Sequence, residues 1–321
     1  MSYPHEERDF ADLVAVVATR RRLAPALVEK DYWVTHVLWG LHRLGLEVWF
    51  KGGTSLSKGF GLIERFSEDL DLKIESGVLR TLPPVRNWKS EGTRAVHERQ
   101  AHFNALLDLI ELPGVEVSAD PTYEDPSHRS AQLRAVYRGA HLSGLGMLRP
   151  FVLLEIGDAR VTPFVRRDMT SFVHEELGAQ GQFASFDDNR PKGVRCVHPL
   201  VTLIEKLDAL RRRVPRGDVA PAAFVRHFED AAHIVAAEAE FPPLEGYDSP
   251  RTLAEEMLAQ RQVAAIPSVA DAAFNPDGGP RFAEIQRAHE AIAPMFWGPR
   301  IGVEEACSAI RSWVARRLGA P

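Results

Sequence analysis

The segment at residues 46–74 constrains the fold of this chain more than any other part of the sequence. It begins with a short apolar run, passes through the adjacent glycines Gly52 and Gly53 and a short stretch compatible with a helix, and ends in an alternating run at 69–74. Apolar and alternating runs predict strands, and paired glycines predict a turn between them. We therefore expect an α/β (α+β) protein with a mixed sheet flanked by helices.

Hydrophobic periodicity extends this plan over the rest of the chain. A largely buried helix is predicted at 24–44 and another at 92–112. Further strands, which should extend the same sheet, are predicted at 115–118, 132–137 and 149–156. The apolar residues then recur at helical spacing over 199–213, 221–238, 250–262, 280–291 and 302–318. We expect an α/β domain at 1–175 and a mainly helical domain at 176–321.

The composition excludes disordered, collagen-like and membrane proteins. The 321 residues are 45% hydrophobic and 26% charged, as in ordinary soluble domains. The apolar stretches are far shorter than the roughly 20 residues of a membrane span, and the amino terminus is polar, so we expect a cytoplasmic protein without membrane contact. The two cysteines form no C-x-x-C pair, so the sequence does not indicate a zinc site built on cysteines. A net charge of −5 argues against a whole-surface nucleic-acid coat but allows a local basic groove.

The turn after the first predicted strand suits an anion. Its glycines, Gly52 and Gly53, allow the backbone to approach a phosphate, and the helix that opens at Thr54 and Ser55 directs free N–H groups toward it. The Ser55 hydroxyl and the Lys58 ammonium could add contacts. The spacing differs from that of a Walker-type P-loop. A plain tight turn with a capping serine is the alternative interpretation.

Two carboxylates follow on the next predicted strand. Strand alternation places Asp69 and Asp71 on one face and apolar residues on the other. Neighbouring carboxylates repel each other, and Mg²⁺ relieves this repulsion by accepting oxygen ligands from both. A solvated edge strand would show the same pattern. Together with the glycine turn, however, the pair predicts a phosphate cradle beside a metal platform, as an NTP requires.

Glu155 is the candidate for a third carboxylate. It lies in the otherwise apolar run at 150–157, where a charged group is costly unless it is paired or binds a metal. It could therefore bind a second metal or accept a proton from an attacking hydroxyl. The alternative is a strand-end glutamate paired with Arg160 or another arginine.

The helical half contains further charged candidates. Periodicity places Lys206 outside the apolar stripe of its helix, which predicts a solvated side chain, and Asp230 lies between two histidines whose spacing does not suit zinc. A local concentration of arginines could bind a polyanion such as RNA, or could be a solvated helix end. These arginines are Arg211, Arg212, Arg213 and Arg216.

The 25 residues FKGGTSLSKGFGLIERFSEDLDLKI at 50–74 closely resemble the signature of the AbiEii/AbiGii nucleotidyltransferase-like toxins. These proteins are the toxin half of bacterial toxin–antitoxin and phage-defence pairs. Three shorter stretches, at 29–34, 202–210 and 226–234, are similar to other motifs of the same family. The resemblance therefore extends from residue 29 to about residue 234.

The resemblance implies a nucleotidyltransferase-like domain whose cleft is completed by Lys206 and Asp230 of the helical region. It implies transfer of a nucleotide from an NTP to an acceptor hydroxyl of RNA, a tRNA 3′ end, which would stop translation. Asp69 and Asp71 would bind Mg²⁺. Glu155 would lie on the acceptor side of the site, and Lys206 would contact the leaving phosphates. The glycine turn would hold the NTP phosphates.

Other functions stay open at this point. The same metal platform could transfer a nucleotide to a small molecule or a protein side chain. A catalytically idle module that acts through its cognate antitoxin or a nucleic acid is an alternative from another class, although the intact glycine turn, D-x-D pair and lysine favour an enzyme.

Overall fold

The computed structural model describes residues 2–67, 69–142 and 149–319, which divide into two compact units. Unit 1 contains the described residues of 1–59, 67–161 and 166–196, and unit 2 contains 60–66, 162–165 and those of 197–321. The longest stretch of unit 2 therefore begins after Cys196, and the division into domains at residue 175 stays a prediction. The strand ending at Val197 pairs with the strand at Glu47–Lys51, which keeps this stretch in the sheet.

A seven-stranded mixed sheet confirms the predicted α/β fold. Its strands are β1 (Glu47–Lys51), β2 (Asp69–Glu75), β3 (Val115–Ala119), β4 (Ser130–Tyr137), β5 (Phe151–Gly157), β6 (Phe164–Arg167) and β7 (Val194–Val197). The strand order is β3-β4-β5-β2-β1-β7-β6. β2 lies between β1, which is antiparallel to it, and β5, which is parallel to it. The parallel pairing places the D-x-D strand directly beside the strand that carries Glu155.

The helices of unit 1 include two that were predicted. They are α1 (Phe10–Arg21), α2 (Pro25–His42), the helical turn α3 (Gly52–Thr54), α4 (Thr93–Leu109) and α5 (Phe172–Ala179). α2 and α4 agree with the predictions at 24–44 and 92–112. α2 begins with Pro25 in its first turn, where the missing N–H costs nothing. Almost all of α2 is buried, including consecutive charged residues near its start.

Unit 2 is mainly helical, as predicted. Its helices are α6 (Pro199–Arg213), α7 (Arg226–Ala236), α8 (Pro250–Ala259), α9 (Pro280–Ala291) and α10 (Val303–Arg317). α6 begins at Pro199, and the Nδ1 atom of the preceding His198 accepts the Leu200 N–H at 3.2 Å. Among the described residues, no helix combines the length and the apolar character that a membrane span needs.

Candidate active site

The glycine turn is shaped by the D-x-D strand. Gly52 has a φ of +75°, and a Cβ at this position would lie 1.7 Å from Oδ2 of Asp71. The Thr54 hydroxyl donates to the carbonyl oxygens of Asp69 at 2.6 Å and Ser67 at 3.0 Å. Only glycine therefore allows the Asp71 carboxylate to approach the turn, while Thr54 fixes the backbone of the strand that carries both aspartates.

The other predicted phosphate contacts lie inside unit 1. Ser55 is 2% exposed, and its hydroxyl and the Cys196 thiol both border Gly59. Burial raises the pKa of Cys196 to about 12, and the Ser55 hydroxyl acts in the opposite direction. The Lys58 ammonium binds the Asp31 carboxylate and also donates to the Thr170 carbonyl at 3.1 Å. In this state Lys58 is therefore engaged by protein groups, and Gly53 is buried in the turn.

The three predicted carboxylates share one face of the sheet. On β2 the apolar residues Leu70 and Leu72 are buried, whereas Asp69 and Asp71 are half-buried on the other face. The register of β2 and β5 places Asp71 directly opposite Glu155. A cavity of about 260 Å³ is lined by these two carboxylates together with side chains of β1 and β4. The strand register therefore brings Asp71 and Glu155 together.

The pKa of Glu155 is raised to about 7 in this group. Burial is the larger cause, followed by the charges of Asp71 and Asp69. Gln132 on β4 donates its amide N–H to Oε1 of Glu155 at 2.8 Å, and Arg149 donates to Oδ1 of Asp69 at 3.0 Å. Glu155 is therefore oriented by an amide, and Arg149 is an arginine that lowers its pKa.

A divalent cation fits these carboxylates. Within the described part of the chain, no three potential ligands among His, Cys, Asp and Glu are already placed as a ready-made metal site. However, the strand register places Asp71 directly opposite Glu155, and a hard cation that accepts oxygen ligands relieves the repulsion between such neighbouring carboxylates. Asp69 and Asp71 are the residues that could hold it.

Unit 2 contains a separate buried ion cluster. Arg65 binds Asp230 through two hydrogen bonds of 2.7 Å, and Lys206 donates to the same carboxylate at 2.8 Å. Asp230 is fully buried and Lys206 is 8% exposed. The periodicity-based prediction that Lys206 is solvated is therefore wrong. Its ammonium is buried because it binds the carboxylate of Asp230 on α7, which also binds Arg65.

Burial and the neighbouring charges shift the pKa values within this cluster in different directions. Burial alone would raise the pKa of Asp230, but Arg65 and Lys206 hold it well below its usual range. Burial lowers the pKa of Lys206, while Asp230 opposes this shift. Burial also keeps the pKa of His227 well below its usual value, so its Nδ1, 3.3 Å from the Lys206 Nζ atom, is free of charge. Asp230 therefore binds a guanidinium and an ammonium together in the interior of unit 2.

The predicted RNA-binding arginines all make contacts within unit 2. Arg211 and Arg212 both bind Asp208, at 3.2 and 2.8 Å. Arg216 binds Asp218 at 2.6 Å, and Arg213 donates to the Ala223 carbonyl at 3.4 Å. The side chains of Arg212 and Arg216 are more than half exposed. Docking of a polyanion on this cluster stays a prediction.

Sequence reasoning missed four contributors to these clusters. Arg65, Gln132, Arg149 and Lys30 were not singled out, although each contacts a predicted residue or its neighbourhood. Arg65 lay within the signature at 50–74, and Lys30 lay in a buried helix where an ammonium is costly. No local signal in the sequence indicated Gln132 or Arg149, because their partners lie on other strands.

Comparison with known proteins gives two kinds of similarity. A family model described as the nucleotidyl transferase AbiEii toxin of type IV toxin–antitoxin systems matches residues 37–300. Among solved structures, MenT4, a nucleotidyltransferase toxin from Mycobacterium tuberculosis H37Rv, is similar with a TM-score of 0.53 and 19% sequence identity, over 94% of this chain and 87% of that chain. JHP933 from Helicobacter pylori matches at a TM-score of 0.38 and 12% identity, over 89% and 93% of the two chains. No curated protein matches significantly.

Proposed function

The chain belongs to the AbiEii family of nucleotidyl transferase toxins of type IV toxin–antitoxin systems, and on this basis we propose that it transfers a nucleotide from an NTP to an acceptor hydroxyl with Mg²⁺ as cofactor. The observation that carries the proposal is the group of Asp69, Asp71 and Glu155 on one face of β2 and β5. Three carboxylates that repel one another beside a cavity suit metal-assisted phosphoryl transfer.

In this proposal Asp69 and Asp71 hold the metal. When bound, Mg²⁺ would neutralise charge on the phosphate oxygens of the NTP. Glu155 accepts the proton of the acceptor hydroxyl, because a carboxyl group with a pKa of about 7 is suited to general base catalysis near neutral pH. The hydrogen bond from Gln132 orients Glu155 for this step.

The glycine turn is proposed to bind the NTP phosphates through Gly52, Gly53 and Ser55. N–H groups at the start of a helical turn favour an anion. Thr54 contributes indirectly, since its hydroxyl holds the Asp69 backbone. Contact between Lys58 and a phosphate would require its ammonium to leave Asp31.

Lys206 keeps the role that the family implies, contact with the leaving phosphates. The chemistry of the side chain supports this proposal, because a lysine carries a compact charge on a flexible stem and can bind a phosphate oxygen. Asp230 would then hold both cations in place and thereby position the ammonium of Lys206.

The proposed acceptor is RNA, a tRNA 3′ end, and its modification would block translation. Membership of a toxin family supports the proposal that the acceptor is a molecule the cell needs and that a cognate antitoxin is a partner of this chain. The arginines at 211–216 are proposed to bind the RNA backbone. Transfer to a small molecule or a protein side chain is the second candidate, since the carboxylates themselves do not select the acceptor.

A labelling experiment tests the reaction and its acceptor. Purified protein is incubated with each α-labelled NTP, Mg²⁺ and one acceptor pool at a time: total RNA, small metabolites or total protein. We expect label in the tRNA fraction, and none with Asp71→Asn. Label confined to small molecules or protein would overturn the RNA acceptor. If no pool is labelled while the protein still binds NTP, the chain is a binding module rather than an enzyme.

A further inference from the structure

Arg149 contacts a predicted metal-binding carboxylate in the ligand-free protein. Its guanidinium donates to Oδ1 of Asp69 at 3.0 Å, two residues before β5 begins at Phe151. The same guanidinium also lowers the pKa of Glu155. A protein cation therefore neutralises part of the carboxylate group where Mg²⁺ is proposed to bind.

The backbone of Arg149 is held by a buried residue of α2. Lys30 is fully buried, and its ammonium donates to the Arg149 carbonyl oxygen at 2.5 Å. The neighbouring Glu29 is 1% exposed and accepts the N–H groups of Ala140 and His141 at 2.9 and 2.8 Å. Removing such charges from water costs several kcal/mol per ion, so they are tightly bound to these partners. The backbone carbonyl of Arg149 is thus anchored.

The side chain of Arg149, in contrast, is partly exposed to solvent. It is 46% exposed, and an exposed ion pair is worth at most about 1 kcal/mol. A divalent cation that takes Asp69 would displace the guanidinium by competition for the same oxygen. Its planar fork then matches the phosphate oxygens of an NTP bound by that metal, a geometry that guanidinium binds particularly well.

We propose that Arg149 is a phosphate-binding residue that rests on Asp69 in the ligand-free protein and transfers to a phosphate oxygen of the NTP when the metal occupies Asp69. This inference rests on the proposed function, because it requires an NTP and a metal at the carboxylates. Lys30 is a positioning residue, which keeps the backbone of Arg149 fixed while its guanidinium exchanges partners.

The proposal predicts opposite effects of one substitution on two ligands. Arg149→Ala removes a competitor for Asp69, so Mg²⁺ alone should bind the free protein about five- to tenfold more tightly. The α,β-methylene analogue of the NTP, measured with Mg²⁺ present, should bind about tenfold more weakly, because a hydrogen bond between charged groups is lost. Titration calorimetry measures both affinities without turnover. Arg149→Lys should retain the metal competition but lose part of the NTP affinity.

Arg129→Ala is a matched control. Arg129 is 44% exposed in the same unit and binds Glu91 at 3.1 Å and the Lys89 carbonyl at 3.0 Å, neither of which belongs to the carboxylate group. Its substitution should change neither affinity.

The proposed exchange of partners by Arg149 is wrong if Arg149→Ala leaves the Mg²⁺ affinity unchanged, or if it lowers the affinities for Mg²⁺ and for the NTP analogue together. If the wild-type protein still transfers nucleotides in that case, the proposed function stands. If the two affinities change in opposite directions but the wild-type protein transfers no nucleotide to any acceptor, the exchange is supported and the proposed reaction is wrong. A wild-type protein that binds neither ligand would overturn both.

Discussion

The carboxyl group of Glu155 links pH to stability, because burial and the neighbouring charges of Asp71 and Asp69 disfavour its ionised form in the folded protein. Its pKa is raised from 4.5 to about 7 in the folded protein. Between these two values the folded state holds more protons than the unfolded state, so stability falls as the pH rises. Above about pH 7 the loss is complete. The raised pKa of Glu155 therefore predicts that the free energy of unfolding decreases between about pH 4.5 and pH 7.

Glu155→Gln should remove this contribution. The difference in unfolding free energy between variant and wild type should grow from pH 4.5 to 7 and then level off, with the variant more stable by about 1–2 kcal/mol after allowance for solvent screening of a partly exposed group. Urea unfolding at five pH values between 4 and 8 measures it. A constant difference across this range would show that Glu155 titrates at its ordinary pKa.

The aspartates of β2 should behave differently from ordinary surface charges. Asp71→Asn relieves repulsion with Glu155 but removes a proposed metal ligand. We expect nucleotide transfer to be lost while the melting temperature holds or rises. Lys73, on the same face of β2, offers a control as Lys73→Gln, which should leave transfer largely intact. Near-normal transfer by Asp71→Asn at saturating Mg²⁺ would contradict the metal assignment.

Ser55 offers a direct test of the phosphate cradle. Ser55→Ala should weaken NTP binding modestly, whereas Ser55→Asp should weaken it severely, since a carboxylate repels a triphosphate. Because Ser55 is buried, circular dichroism must first establish that both variants fold. Equal NTP affinities of the two folded variants, measured by calorimetry, would remove Ser55 from the proposed site.

At the scale of elements, the turn between β1 and β2 owes its shape to contact with a carboxylate. Gly52→Ala should destabilise the protein by about 2–4 kcal/mol, because the new methyl group collides with Asp71 and the positive φ disfavours a side chain. In the Asp71→Ala background the collision is absent, and only about 1–2 kcal/mol from the backbone should remain. A double-mutant cycle by chemical denaturation measures the coupling. Additive effects would show that Gly52 serves the backbone alone.

The main elements could be predicted from the sequence, whereas several partners of the site could not. The helix at 280–291 and the strands at β2 and β5 follow directly from local apolar periodicity. β6 and β7 have four residues each, too few for periodicity to indicate a strand. Lys206 was placed in solvent for a related reason. Periodicity describes one helix, while the burial of this ammonium depends on Arg65 and Asp230 from distant segments.

At the scale of the whole molecule, the net charge of −5 makes any RNA docking surface a local feature. The arginines at 211–216 were predicted as that surface, but Arg211 and Arg212 also neutralise Asp208, which is 2% exposed. Replacing both would leave a buried carboxylate without these cations and could destabilise α6 for reasons unrelated to RNA. A clean test must therefore spare Arg211.

The double variant Arg212→Gln/Arg216→Gln meets this condition, because both side chains are more than half exposed. If each contacts an RNA phosphate, the dependence of log affinity on log salt should become shallower by about two units, one for each lost contact. The apparent KM for RNA should rise several-fold at moderate salt, while the Kd for NTP stays nearly unchanged. Arg251→Gln/Arg317→Gln, which removes two other partly exposed arginines of unit 2, is the matched control. An unaltered salt slope in the first variant would place RNA docking on another surface or indicate an acceptor that carries no phosphate chain.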